Sequence, residues 1–175
     1  MKLAITAFFA AILIGPAIAQ HHQGHQQHSP EPYSGLQQRD IKALSAEQIT
    51  DLRQGRGMGL ALAAELNGYP GPMHVLELKD QLRLTADQHQ QFQQLFESMK
   101  AEAIAAGEDL INSERALDRA FADGRMTPET LGALTARIGD AQGRLRAVHL
   151  KYHLTSADLL SEHQRRRYAD LRGYR

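Results

Sequence analysis

Between residues 85 and 158 the chain can do little except build two long helices lying side by side. From Pro128 onward, apolar or small residues fall at Leu131, Leu134, Ile138, Ala141, Leu145, Val148 and Tyr152, in steps of three and four without a miss. That spacing gathers them on one face of a helix. The stretch before it carries Phe92, Leu95, Phe96, Met99, Ala103, Ala106, Leu110, Leu117 and Phe121, mostly at the same steps. Thr85 with Gln88 caps the first helix, Asp123-Gly124 ends it, and Thr127 followed by Pro128 opens the second. A connection of about three residues forces the two helices antiparallel. A hairpin over about 85–158 is therefore predicted, its register set by pairing Phe121 with Leu131.

The flanking segments also read as helices. Ser45 with Gln48 caps a short one whose apolar face is Ile49 and Leu52. Met58–Leu66 predicts a second, stopped by the glycines and prolines of 67–72. Met73–Leu82 predicts a third, anchored by Val75, Leu76 and Leu78, with Met58 and Met73 as core fillers around the loop. A last helix opens at Ser161, turns Tyr168 and Leu171 inward and Arg165-Arg166-Arg167 to solvent, and closes at Gly173. Glu114, Arg115, Asp118 and Arg119 read as a solvated charge ladder. No segment alternates β-branched and aromatic residues as a strand would. The predicted class is all-α: a long antiparallel helical hairpin with short N-terminal helices and a C-terminal helix, in one domain over 44–175.

The N-terminal part reads differently. Met1-Lys2, an apolar stretch over Leu3–Ile14, a Gly15-Pro16 break and Ala17-Ile18-Ala19 have the form of a signal peptide over 1–19, too short to span a bilayer. Residues 20–43, rich in His, Gln and Pro, are expected to be a disordered tail. The expectation is thus a periplasmic protein without membrane insertion after cleavage. The chain has no cysteine, so it can use neither a disulfide framework nor thiolate chemistry. Its 20 basic and 20 acidic residues balance, which excludes the concentrated positive surface a nucleic-acid partner needs. No G-x-S-x-G, phosphate loop, dinucleotide fingerprint or H-E-x-x-H is present, so no enzyme is expected.

Three helix starts share one pattern: Leu44-Ser45-x-x-Gln48, Leu84-Thr85-x-x-Gln88 and Leu160-Ser161-x-x-Gln164. Each is explained locally, with the hydroxyl accepting from the third helical N–H and the glutamine reaching back. Two of them bracket the hairpin. That combination resembles the Spy/CpxP group of periplasmic proteins, which carry L-T-x-x-Q motifs at corresponding helix starts; the resemblance spans about 44–175 and is strongest over 84–172. It implies a curved helical hairpin, a homodimer, and a role in envelope stress or metal handling. Some members hold unfolded clients without ATP, and related heavy-metal-resistance sensors bind zinc, copper or nickel. The near-zero net charge and the extra segment before the hairpin depart from the plain chaperone type.

Metal ligation is the chemistry the histidines suggest. His21, His22, His25 and His28 lie in the expected tail. With cleavage after Ala19, His22 becomes the third residue, whose imidazole can join the amine and two amides around Cu(II) or Ni(II) in a plane. His149 and His153, four apart, share one side of their helix. In the predicted register they face Met99 and Glu102, and Met73 and His74 can close the site from a third side. A thioether favours Cu(I), whereas an all-His/Glu set favours Zn, Cu(II) or Ni. The alternative is that His149 and His153 are half-buried helix residues bonded to their neighbours.

The sequence therefore predicts an envelope protein that binds a transition metal, with His149, His153, His74, Met99 and Glu102 as the structured site and the tail histidines as accessory. The rival is an ATP-independent holdase with unfolded client proteins. A regulatory partner of a membrane sensor is a third expectation, which the residues do not separate from the first.

Overall fold

The computed structural model describes residues 33–174, so the expected signal peptide and the tail histidines lie outside the described residues. Gly35 onward packs as one unit, in which all regular structure among the described residues is helical. A short 3-10 helix at Leu36–Gln38 is followed by α1 (Ala46–Arg53), α2 (Leu62–Glu65), α3 (Pro72–Glu77), α4 (Ala86–Ala122), α5 (Pro128–Leu159) and α6 (Glu162–Leu171). Among the described residues no helix is long and apolar enough to cross a membrane.

The hairpin forms as the periodicity dictates. α4 runs 37 residues and α5 32, joined through Asp123 and Gly124 with Thr127 capping α5 through the Thr130 amide. Tyr152 Oη donates to Glu102 Oε1 at 2.8 Å, and Arg144 pairs with Asp109 at 3.7 Å, which fixes the antiparallel register close to the expected one. Phe121 and Leu131 are nevertheless solvent-exposed, at 57% and 39%. They lie at the hairpin tip, and two helices alone cannot cover both flanks of a side chain without a third layer.

Two apolar clusters supply that third layer elsewhere. In the first, Ile41, Leu44 and Leu52 pack with Ala103, Ala106, Leu110, Ile111, Ile138, Ala141 and Leu145. α1 crosses α4 at Gly107, where a Cβ would lie 2.7 Å from the Leu52 carbonyl oxygen. In the second, Val75, Leu82, Phe92, Leu160 and Tyr168 pack together. Burial of this kind stabilises by about 25 cal/mol per Å² of apolar surface.

The first cluster corrects two expectations. Residues 36–43 are not part of a disordered tail, because Ile41 is fully buried in the core. That segment also breaks the expected charge ladder. Asp118 accepts from the backbone N–H of Lys42 and pairs with its Nζ, both at 3.4 Å, and Arg115 lies 3.6 Å from Asp40. Glu114 is buried, and desolvation raises its pKa.

All three expected capping boxes form at Ser45, Thr85 and Ser161. Two of them also interlock. The Gln88 side-chain amide donates to Gln164 Oε1 at 3.1 Å, and the Gln164 amide donates to Gln88 Oε1 at 3.0 Å. Gln88 Nε2 also donates to the Leu159 carbonyl and Gln164 Nε2 to that of Leu82. The paired amides thereby fasten the start of α4 to the start of α6. Arg165, expected in solvent, donates instead to the Ala157 and Leu160 carbonyls at 2.7 and 2.9 Å and satisfies the end of α5.

Candidate metal centre

The two clusters leave a gap along both long helices. On α4 the first holds residues 103–111 and the second Phe92, with Phe96, Met99 and Lys100 between. On α5 the gap is occupied by His149 and His153. A cleft of about 630 Å³ opens there, roofed by the α1–α2 and α2–α3 connections. Met58, Met73, Met99, His74, His149 and His153 all line it.

Four of the five expected structured-site residues, His149, His153, His74 and Met99, therefore share one cleft. Glu102 does not join them. Its carboxylate accepts from Lys151 Nζ and from Tyr152, and these hydrogen bonds hold it below the usual carboxylate range. His74 Nδ1 is 2.9 Å from Glu77 Oε2 on its own helix. Among the described residues, no group of three or more His, Asp and Glu side chains could hold a metal ion, so an all-His/Glu site is not assembled.

The two α5 histidines differ. His153 Nδ1 donates to the Tyr69 carbonyl at 2.7 Å, with Glu65 Oε2 3.7 Å away. That bond engages Nδ1 and orients the ring from the α2–α3 connection. His149 is 2% exposed, and its Nε2 is a buried atom with no hydrogen-bond partner. Burial lowers its pKa, with the charge of His153 acting in the same direction, so the ring is held neutral. An unpartnered buried nitrogen costs about 1–3 kcal/mol.

The surrounding support was not foreseen. Glu65, the sole charge in the apolar run 58–66, is buried with both oxygens engaged. Tyr168 Oη and Tyr174 Oη donate to Oε1, and the Gly71 N–H donates to Oε2 at 3.0 Å. Arg172 lies 3.8 Å from Oε1. Burial first, then the bond to Glu65, raises the Tyr168 pKa and keeps its proton in place as the donor. This hub joins the Gly71 turn, α5 and the C-terminal helix at the back of the cleft. A charged residue inside an otherwise apolar run was the available signal, since buried charges occur where partners await them.

Met58 and Met73 are not core fillers. They are 43% and 42% exposed at the cleft, while Met99 is 7% exposed on α4. The expected helix over 58–66 shrinks to Leu62–Glu65, because Gly57 and Gly59 flank Met58 and the chain turns there with Met58 at φ +43°. Leu62 in α2, and Leu66 and Tyr69 just after it, are exposed as well.

No family model matches the chain, and neither does any curated protein or solved structure.

Proposed function

We propose that the protein is a periplasmic metal-binding protein that senses or buffers a transition metal in the cell envelope. The observation that carries this reading is His149 Nε2, a buried nitrogen with no hydrogen-bond partner, on a residue that lines the same cleft as His153. A structural histidine in that position would find a hydrogen bond. A histidine kept for ligation keeps its lone pair unused and its ring neutral. The resemblance of the capped hairpin to Spy/CpxP proteins supports a place in envelope metal handling. The test is equilibrium dialysis of the protein with Zn(II), Ni(II) and copper in both oxidation states. It uses a background in which His21, His22, His25 and His28 are alanine. Binding lost in His149→Ala/His153→Ala supports the reading, and the absence of binding for every ion removes it.

A second reading, an ATP-independent holdase, is favoured by one observation. Met58, Leu62, Leu66, Tyr69 and Met73, in the segment from the α1–α2 connection to α3, are exposed apolar side chains, 41% to 58% accessible. A holdase needs such a surface to grip an unfolded chain. Suppression of aggregation of a denatured client at equimolar ratio tests it, and no suppression sinks it.

A further inference from the structure

We propose that the ion this cleft selects is soft and monovalent, Cu(I) or its analogue Ag(I), held by the thioethers of Met58, Met73 and Met99 with the imidazoles of His149 and His153. This selection presupposes the metal-binding reading above and names the ion it takes.

The donors that are free decide the matter. Glu65 has both oxygens occupied, Glu102 is tied to Lys151 and Tyr152, and His74 faces Glu77. No carboxylate of the cleft region is left for a hard dication. What remains is sulfur and imidazole. Thioethers select Cu(I), whereas imidazole alone is shared among zinc, copper and nickel.

Charge points the same way. The thioethers carry no charge, no free carboxylate joins them, and the cleft is also lined by Arg56 and Lys100. A dication there would lose hydration without gaining an anionic ligand, which is more costly than moving a monocation.

The methionines themselves lack another explanation. Of the chain's five methionines, Met58, Met73 and Met99 reach this one cleft from the α1–α2 connection, α3 and α4. Two of them expose apolar surface there, and Met58 does so from the left-handed backbone region between two glycines. A glycine would occupy that region without strain. Methionine has three rotatable side-chain bonds, so the thioethers can close on an ion without moving the helices.

The experiment uses the full chain with the four tail histidines replaced by alanine. Cu(I) is titrated anaerobically against a chromogenic Cu(I) chelator, and Ag(I), Zn(II) and Ni(II) are titrated in parallel. Cu(I) and Ag(I) are expected to bind more tightly than Zn(II) or Ni(II). Met58→Leu/Met73→Leu is expected to weaken Cu(I) by about tenfold or more, with the helical circular dichroism unchanged because both side chains are exposed. X-ray absorption at the copper edge is expected to show sulfur and nitrogen neighbours, with the sulfur contribution reduced in that variant. Zn(II) or Ni(II) binding that depends on His149 and His153 but ignores the methionines overturns the selection and leaves the metal-binding reading standing. Cu(I) binding indifferent to the methionine pair and to His149→Leu overturns the assignment to this cleft. Absence of binding for all four ions overturns both.

Discussion

A Cβ on Gly71 would lie 2.9 Å from Cε1 of His153, so the glycine and the imidazole are in direct contact. Gly71 has φ −76°, an ordinary value, so space rather than backbone conformation demands glycine here. Its N–H also holds Glu65 Oε2. One small residue therefore sets both the depth of His153 and the seat of the buried carboxylate.

Gly71→Ala is expected to destabilise the fold by about 1–3 kcal/mol through overpacking, measured by urea denaturation. It should also weaken metal binding by displacing His153. Gly132→Ala is the control. It lies within α5 with no atom within 4 Å of the new methyl. Its expected gain is about 0.5–1 kcal/mol.

His149→Leu removes the unpartnered nitrogen without emptying its space. We expect metal binding to be lost while stability at neutral pH holds or rises by about 1 kcal/mol. The pH profile separates this from simple repacking. The His149 pKa in the fold lies below its ordinary 6.5, so the unfolded chain takes up the proton first. Stability is whole above pH 6.5 and declines as pH falls through the folded value. His149→Leu should abolish that part of the decline in thermal melts recorded across this range, and an unaltered profile would contradict it.

Gln88→Ala and Gln164→Ala each break a capping box and the amide pair between them. Each is expected to cost about 1–2 kcal/mol. The double variant should cost less than the two added together, with a coupling of about 0.5–2 kcal/mol. Gln48→Ala, whose box has no such partner amide, should add to either without coupling. A double-mutant cycle in urea measures all of these.

Glu114→Gln tests the raised carboxyl on α4. Desolvation lifts its folded pKa above the ordinary 4.5, so the fold favours the protonated form. The charge is therefore a cost present above the folded pKa and absent below 4.5. The variant should melt higher at pH 7, by about 1 kcal/mol or less, and match the parent at low pH.

Tyr168→Phe leaves the ring in its cluster and deletes a donor to buried Glu65. A loss of about 1–3 kcal/mol is expected, checked by calorimetric unfolding. An unchanged melting temperature would mean that Tyr174 and Gly71 alone satisfy the carboxylate.

The all-α class, the hairpin, its register and the three capping boxes were legible in the sequence because each depends on neighbours within a turn or on a repeated period. The 3-4 stripe of α5 needs only helical geometry, and Ser45–Gln48, Thr85–Gln88 and Ser161–Gln164 close within four residues. The gathering of His149, His153, His74 and Met99 followed from that register and from the position of the helix after the loop. Tertiary packing alone decided the rest. Ile41 is buried because it joins the cluster built on α1, α4 and α5, which no pattern in residues 36–43 announces. Glu102 turns to Lys151 and Tyr152 rather than to the histidines, and Glu65 meets Tyr168 from a helix more than a hundred residues away. Which donors are spent on other partners is a property of three-dimensional contacts. So is the gathering of His149, with its unpartnered nitrogen, His153 and three methionines at one cleft.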